Sequence, residues 1–137
     1  MKKGLDLMVG IVIVSHSKKV ADGLYELADQ MTGGKIRIGK SGGTKDGRLG
    51  TNVDEIVEEI KKCESGDGVL VLVDLGSSVM SAQMALEFLD GEYAGKVEIA
   101  DAPLVEGTIA ASVEASIGSD ILKVKEVAEA AKNLVKI

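Results

Sequence analysis

The chain has 137 residues, 45% of them hydrophobic and 28% charged, the balance of one globular domain with a real core and not of a disordered segment. A net charge of −6 and a pI of about 4.8 argue against a nucleic-acid or anionic-membrane partner, since both want a basic face. One cysteine (Cys63), one histidine (His16) and three aromatic rings (Tyr25, Phe88, Tyr93) argue against a disulfide framework, a structural zinc site and a base-stacking platform.

The opening, "MKKGLDLMVGIVIVSHS", sets Lys2 and Lys3 before an apolar stretch, but Asp6 interrupts it and no small-residue cleavage site follows. No stretch approaches the roughly 18 apolar residues of a membrane span. Residues 1–7 are therefore expected to form a tail, residues 8–137 a single domain, and the protein to be cytoplasmic. Met8 to Val14 is a continuous apolar run enriched in β-branched residues, the pattern of a strand buried on both faces. Val20, Leu24, Leu27, Ala28 and Met31 recur at helical spacing and predict a helix over 18–31, ended by "TGG". "KIRIG" at 35–39 alternates as a short strand, and the glycine-rich "KSGGTKDGRLGTN" at 40–52 reads as a long loop. Asn52 or Thr51 caps the next helix, whose stripe is Val53, Ile56, Val57 and Ile60, and Glu55 completes a capping-box spacing.

"GVLVLVDLG" at 68–76 is a second fully apolar strand. The helix after it presents Val79, Ala82, Leu86 and Leu89 on one face. "KVEIA" at 96–100 is a strand, Pro103 sits at the start of a helix over 104–117, and Gly118 stops it. Asp120 caps a last helix with the stripe Val124, Val127, Ala128, Ala131, Leu134 and Val135. This order, βα βα βα β αα, implies a three-layer α/β/α domain with a flavodoxin-like parallel sheet, strand order 2-1-3-4, and a switch point between strands 1 and 3.

Ligands of such sheets bind beyond the carboxyl ends of the strands at the switch point. His16 follows strand 1 and Asp74 ends strand 3, so the order brings the two side chains within reach of each other. A carboxylate on one ring nitrogen fixes the tautomer and leaves the other nitrogen as a lone-pair nucleophile. Ser17, Gly50, Thr51, Gly76, Ser77 and Ser78 lie at loop-to-helix junctions, where free amides and small hydroxyls suit a phosphoryl group; they form the expected phosphate pocket. Lys18, Lys45, Asp46 and Arg48 flank it. No serine in a nucleophile elbow and no second acid pair point to hydrolysis. Spacing alone leaves open the alternative that His16 is a surface residue and Asp74 a helix cap.

"GKIRIGKS", Gly34 to Ser41, fits the letters of a phosphate loop, but that motif needs a strand before it and a helix after it, and this stretch has neither. Cys63, Met80 and Met84 read as packing residues.

"VGIVIVSHS", "GTKDGRLGTN", "VLVLVDLGSS" and "APLVEGTIAA" together resemble the phosphotransferase-system subunit of dihydroxyacetone kinase, the DhaM family of the mannose-type enzyme IIA superfamily, from Met8 to about Lys125. The resemblance implies that His16 takes a phosphoryl group from the histidine-containing phosphocarrier protein and passes it to ADP held on a nucleotide-binding subunit. A further subunit binds dihydroxyacetone (glycerone). Phosphoenolpyruvate would be the ultimate donor. Asp74 matches the acidic partner of the histidine, and no cofactor is implied beyond the covalent phosphohistidine. A homodimer is also implied, although the final segment reads as helix where the sugar-transport branch has a swapped strand. "DLGSS" departs from the Trp-Gly-Gly of that branch and favours the kinase branch. Two other readings stand beside this one: an enzyme IIA of a mannose-type sugar transport system, and a non-enzymatic flavodoxin-like sensor of a phosphorylated metabolite.

Overall fold

"GIVIVS" and "VLVLV" are buried at every residue, as strands covered on both faces must be. In the computed structural model, which describes residues 8–137, they are β1 (Gly10–Ser15) and β3 (Val69–Val73), and they lie side by side at the centre of a four-stranded parallel sheet. The edge strands are β2 (Ile38–Gly42), beside β1, and β4 (Val97–Ile99), beside β3, giving the expected order 2-1-3-4.

Strand alternation divides the core in two. Val12, Val14, Val69, Val71 and Val73 face α2 (Val53–Cys63) and α3 (Gly76–Phe88), packing on Ile56, Ile60, Ala82 and Ala85. Val9, Ile11, Leu70 and Leu72 face α4 (Leu104–Ser116) and α5 (Ile121–Ala130), while Ile13 packs against Ala21 and Leu24 of α1 (Lys18–Thr32). At about 25 cal/mol per Å² of apolar surface removed from water, these branched strand residues supply the main term that holds the layers together. Among the described residues no helix is long and apolar enough to cross a membrane. The tail expected at residues 1–7 lies outside the described residues.

The structure corrects several expectations. β2 runs Ile38–Gly42 and not 35–39, so the first residues of the expected loop are strand. The reason is pairing: Ser15 at the end of β1 stands opposite Gly42, and ladder hydrogen bonds override the weak alternation of "KIRIG". On α1 the buried face is Ala21, Leu24, Ala28 and Thr32, whereas Val20, Leu27 and Met31 are exposed. The buried side of α1 is small because the helix lies close on β2 and α4. Met80 and Met84 are not core residues: they lie exposed on α3, whose core face is Ser78, Ala82 and Ala85. Leu134 and Val135 lie beyond α5 and are exposed, so the last stripe ends at Ala131. Cys63 is buried as expected, and burial pushes its thiol up to about 12. Gly34 to Ser41 spans a turn and β2 and is preceded by a helix, the wrong setting for a phosphate loop.

Candidate active site

β1 and β3 pair in register, Val14 against Val73, so the next residues along each strand, Ser15 and Asp74, emerge together at the carboxyl edge. Four donors converge on the Asp74 carboxylate. Oδ2 accepts from the Ser15 hydroxyl at 2.8 Å and from the His16 amide at 3.0 Å. Oδ1 accepts from His16 Nδ1 at 2.9 Å and from the Leu75 amide at 2.7 Å. Burial works against a charge here, yet the His16 amide, the His16 ring, Ser15 and Leu75 outweigh it and hold the carboxyl well below the usual range. Asp74 is therefore an anion at every physiological pH.

A carboxylate can only accept, so the ring proton of neutral His16 sits on Nδ1 and the lone pair on Nε2. Nε2 meets the Ser77 hydroxyl, which donates to it. The ring is 22% and the Asp74 side chain 19% exposed, so Nε2 faces outward while its anchor is shielded.

α3 begins at Gly76, and the amides of Gly76 and Ser77 are the first two of the helix, without partners within it. The loop before α2 reaches back: the Gly50 amide donates to the His16 carbonyl at 2.8 Å. Thr51 Oγ1 pairs with Ser81 Oγ at 2.7 Å, and Ser81 donates to the Ser77 carbonyl, so this loop braces the first turn of α3. An open cleft of about 380 Å³ borders Asp74 between the ends of β3 and β4. Its charged lining is Asp74 and Asp101, with no cation, a poor setting for a free polyphosphate.

The expected site residues thus separate. His16, Asp74 and Ser77 come together, and Gly76 and Gly50 frame them. Ser78 does not face the pocket: it is buried, its hydroxyl accepts from the amides of Asp74 and Leu75 and donates to the Leu75 carbonyl. Ser17 caps α1, accepting from the Val20 amide. Thr51 is held by Ser81. Lys18 pairs with Asp22, and Arg48 with Asp46 inside its own loop. Both serines are credible phosphate ligands by sequence because Ser at a helix start serves a ligand or a cap equally well, and here the cap wins. Sequence reasoning misses Ser15, Leu75 and Ser81. For Ser15 a signal exists: it is the polar last residue of an otherwise apolar strand, and the neighbouring strand runs on into Asp74.

A 2-1-3-4 parallel sheet with a histidine–aspartate couple at its switch point is the arrangement that the resemblance to mannose-type enzyme IIA domains implies. The family model described as PTS system fructose IIA component, EIIA-man, matches residues 10–125. The PEP-dependent dihydroxyacetone kinase 2, phosphoryl donor subunit DhaM, of Listeria innocua is 46% identical over 110 residues, covering 80% of this chain and 88% of that protein. The corresponding DhaM subunit of Escherichia coli is 45% identical over 120 residues, which is 85% of this chain and 25% of that longer protein. The crystal structure of a protein of unknown function, EF1359, superposes with a TM-score of 0.80 at 35% identity, covering 89% of this chain and 93% of that one. The chain belongs to the EIIA-man family, in its DhaM branch.

Proposed function

We propose that this chain is a histidine phosphocarrier that feeds a phosphoenolpyruvate-dependent dihydroxyacetone kinase. The observation that carries the reading is the His16 ring itself: Nδ1 is tied to an anionic Asp74 and Nε2, with its lone pair, is turned outward beside Ser77. The names of the relatives, phosphoryl donor subunits of such kinases, support the same reading.

The step balances simply. The Nε2 lone pair attacks phosphorus as the donor's N–P bond breaks, and that bond's electrons stay on the donor's imidazole. His16 then carries a new N–P bond on Nε2 and keeps its proton on Nδ1, so the ring is cationic and faces the Asp74 anion. In the second half the β-phosphate oxygen of ADP attacks, the N–P electrons return to Nε2, and neutral His16 is restored. The Gly76 and Ser77 amides and the Ser77 hydroxyl, once it swings off Nε2, are placed to donate to the phosphoryl oxygens. The phosphoryl group rides on His16 covalently and the reading needs no metal or other cofactor.

The donor is the histidine-containing phosphocarrier protein, and the acceptor is ADP on the nucleotide-binding subunit, working with the dihydroxyacetone-binding subunit. All act in the cytoplasm, where phosphoenolpyruvate is made. A homodimer belongs to the same reading, and the exposed apolar row Met80, Met84 and Phe88 along α3 is one face on which a two-fold contact can form.

A coupled assay tests the reading. Phosphorylated protein is mixed with the ADP-loaded nucleotide subunit and the dihydroxyacetone-binding subunit, and dihydroxyacetone phosphate is measured without added ATP. Product that requires all three supports it. No product, with efficient transfer to a mannose-type enzyme IIB, moves the assignment to sugar transport. Reversible phosphate binding with no covalent adduct makes it a sensor.

A further inference from the structure

Ser15 is fully buried, yet it is the one β1 residue with a polar side chain, and its hydroxyl is committed in both directions. The Ser17 amide donates to Ser15 Oγ at 3.0 Å. An amide has only a donor to offer, so the oxygen accepts there and its own proton points at Asp74 Oδ2, 2.8 Å away. The hydroxyl rotor is locked into being a donor to the carboxylate. Oδ1, the other oxygen, is the one that holds the His16 ring.

We propose that Ser15 is a positioning residue that sets the phosphoryl-transfer potential of His16 through Asp74, keeping the carboxylate weak enough as a partner that the phosphorylated ring gives up its group readily. This rests on the phosphocarrier reading above. A carboxylate stripped of one donor concentrates more charge on its remaining partners. The ring of phosphorylated His16, bonded to phosphorus at Nε2 and still holding its Nδ1 proton, is cationic while the form of the ring that attacks is neutral, so the extra charge stabilises the phosphorylated form more. Ser15 works against this: it draws charge toward Oδ2 and leaves Oδ1 a moderate acceptor. The same hydroxyl is one of the groups that lower the pKa of Asp74, which is the same effect seen from the carboxyl side. Ser15 touches neither His16 Nε2 nor the incoming group, so its influence passes through Asp74.

Ser15→Ala removes one oxygen in a strand already fully packed. The equilibrium constant for phosphoryl exchange with the histidine-containing phosphocarrier protein is measured on the full chain from both directions. The expected result is a shift of about three- to tenfold toward phosphorylated His16, the reach of part of one hydrogen bond to a charged group. The onward rate falls by a similar factor. In the unphosphorylated protein the Nδ1–H proton resonance moves downfield, because its acceptor is more basic. Ser15→Thr, which keeps the hydroxyl and suits a strand, restores wild-type values. A merely structural role predicts something else: both forward and reverse rates fall together, the equilibrium constant stays put, and the resonance broadens without a directed shift. That outcome, or a shift toward unphosphorylated His16, overturns the proposal. If the wild type accepts no phosphoryl group, the phosphocarrier reading fails, and the Nδ1–H resonance still reports on Ser15: an unmoved line in Ser15→Ala then overturns this proposal as well.

Discussion

Replacing Asp74 by asparagine keeps the shape and removes the charge, and the two orientations of the new amide have different consequences. With the NH2 in place of Oδ2, it faces the His16 amide, which becomes an orphaned donor, and the Ser15 hydroxyl, which the Ser17 amide holds as a donor and which loses its acceptor. The ring keeps a carbonyl acceptor at Nδ1 and its tautomer survives. A hydrogen bond to a charged group contributes about 1.5–3 kcal/mol and a neutral one about 0.5–1.5. The difference, about 1–1.5 kcal/mol of support for a cationic ring, corresponds to a rate lower by about tenfold. With the NH2 in place of Oδ1, it faces His16 Nδ1 and the Leu75 amide. The ring proton must then move to Nε2, the attacking lone pair is lost, and the rate falls by about 10⁴, as for other histidines that lose a tautomer-fixing aspartate. The rate of phosphoryl incorporation from phosphoenolpyruvate and the general phosphotransferase proteins, read beside ring-nitrogen NMR, gives both numbers. A fall of about tenfold must come with Nδ1–H retained, and a fall of about 10⁴ with Nε2–H. An unchanged rate refutes the reasoning and leaves Asp74 a cap at the start of α3.

Other perturbations probe the same geometry. A Cβ on Gly42 would lie 2.5 Å from the Ser17 carbonyl oxygen and 2.8 Å from Lys18 Cα, both backbone, so Gly42→Ala pushes the start of α1 away from the sheet; a loss of about 1–3 kcal/mol in urea unfolding is expected, with slower phosphorylation of His16. Gly23, exposed on α1, is the contrast: an added methyl group would meet no atom within 4 Å, and Gly23→Ala gains about 0.5–1 kcal/mol. Asp74 is more acidic folded than unfolded, so its stabilising contribution is whole above the ordinary value of 3.8 and is lost as pH falls below it. Unfolding midpoints between pH 6 and pH 2 must therefore drop less steeply in Asp74→Asn than in wild type; parallel curves would mean the four donors do not bind a carboxylate.

The fold is largely legible in the sequence because its two central strands are short, almost wholly apolar runs rich in β-branched residues, the pattern of strands covered on both faces, and because helical stripes separate them. Strand order comes with that pattern, and with it the meeting of His16 and Asp74. The rest is decided by contacts between distant segments. β2 extends into a glycine-rich stretch because β1 supplies the ladder there, a preference no local pattern encodes. Val20, Leu27 and Met31 look like a core stripe, yet α1 turns its small residues inward. At the site, Ser77 and Ser78 are neighbours of one type with opposite fates, one on the His16 ring and one folded back on the start of α3. Sequence names the residue types at a helix start but not which way the first turn rotates them, and that rotation is fixed by Ala82 and Ala85 seating on the sheet. Ser15 is hidden for the complementary reason: its importance lies in a bond to a residue 59 positions away.

The central claim is that His16 Nε2 carries the phosphoryl group. Wild-type protein and His16→Ala are incubated with phosphoenolpyruvate and the general phosphotransferase proteins, and the intact mass is measured before and after treatment with acid and with base. The wild type should gain one phosphoryl group that survives base and is lost in acid, with phosphorus–nitrogen coupling at Nε2 in a ring-labelled sample, and the variant should gain none. Equal labelling of His16→Ala, or a group on Nδ1, would contradict the account.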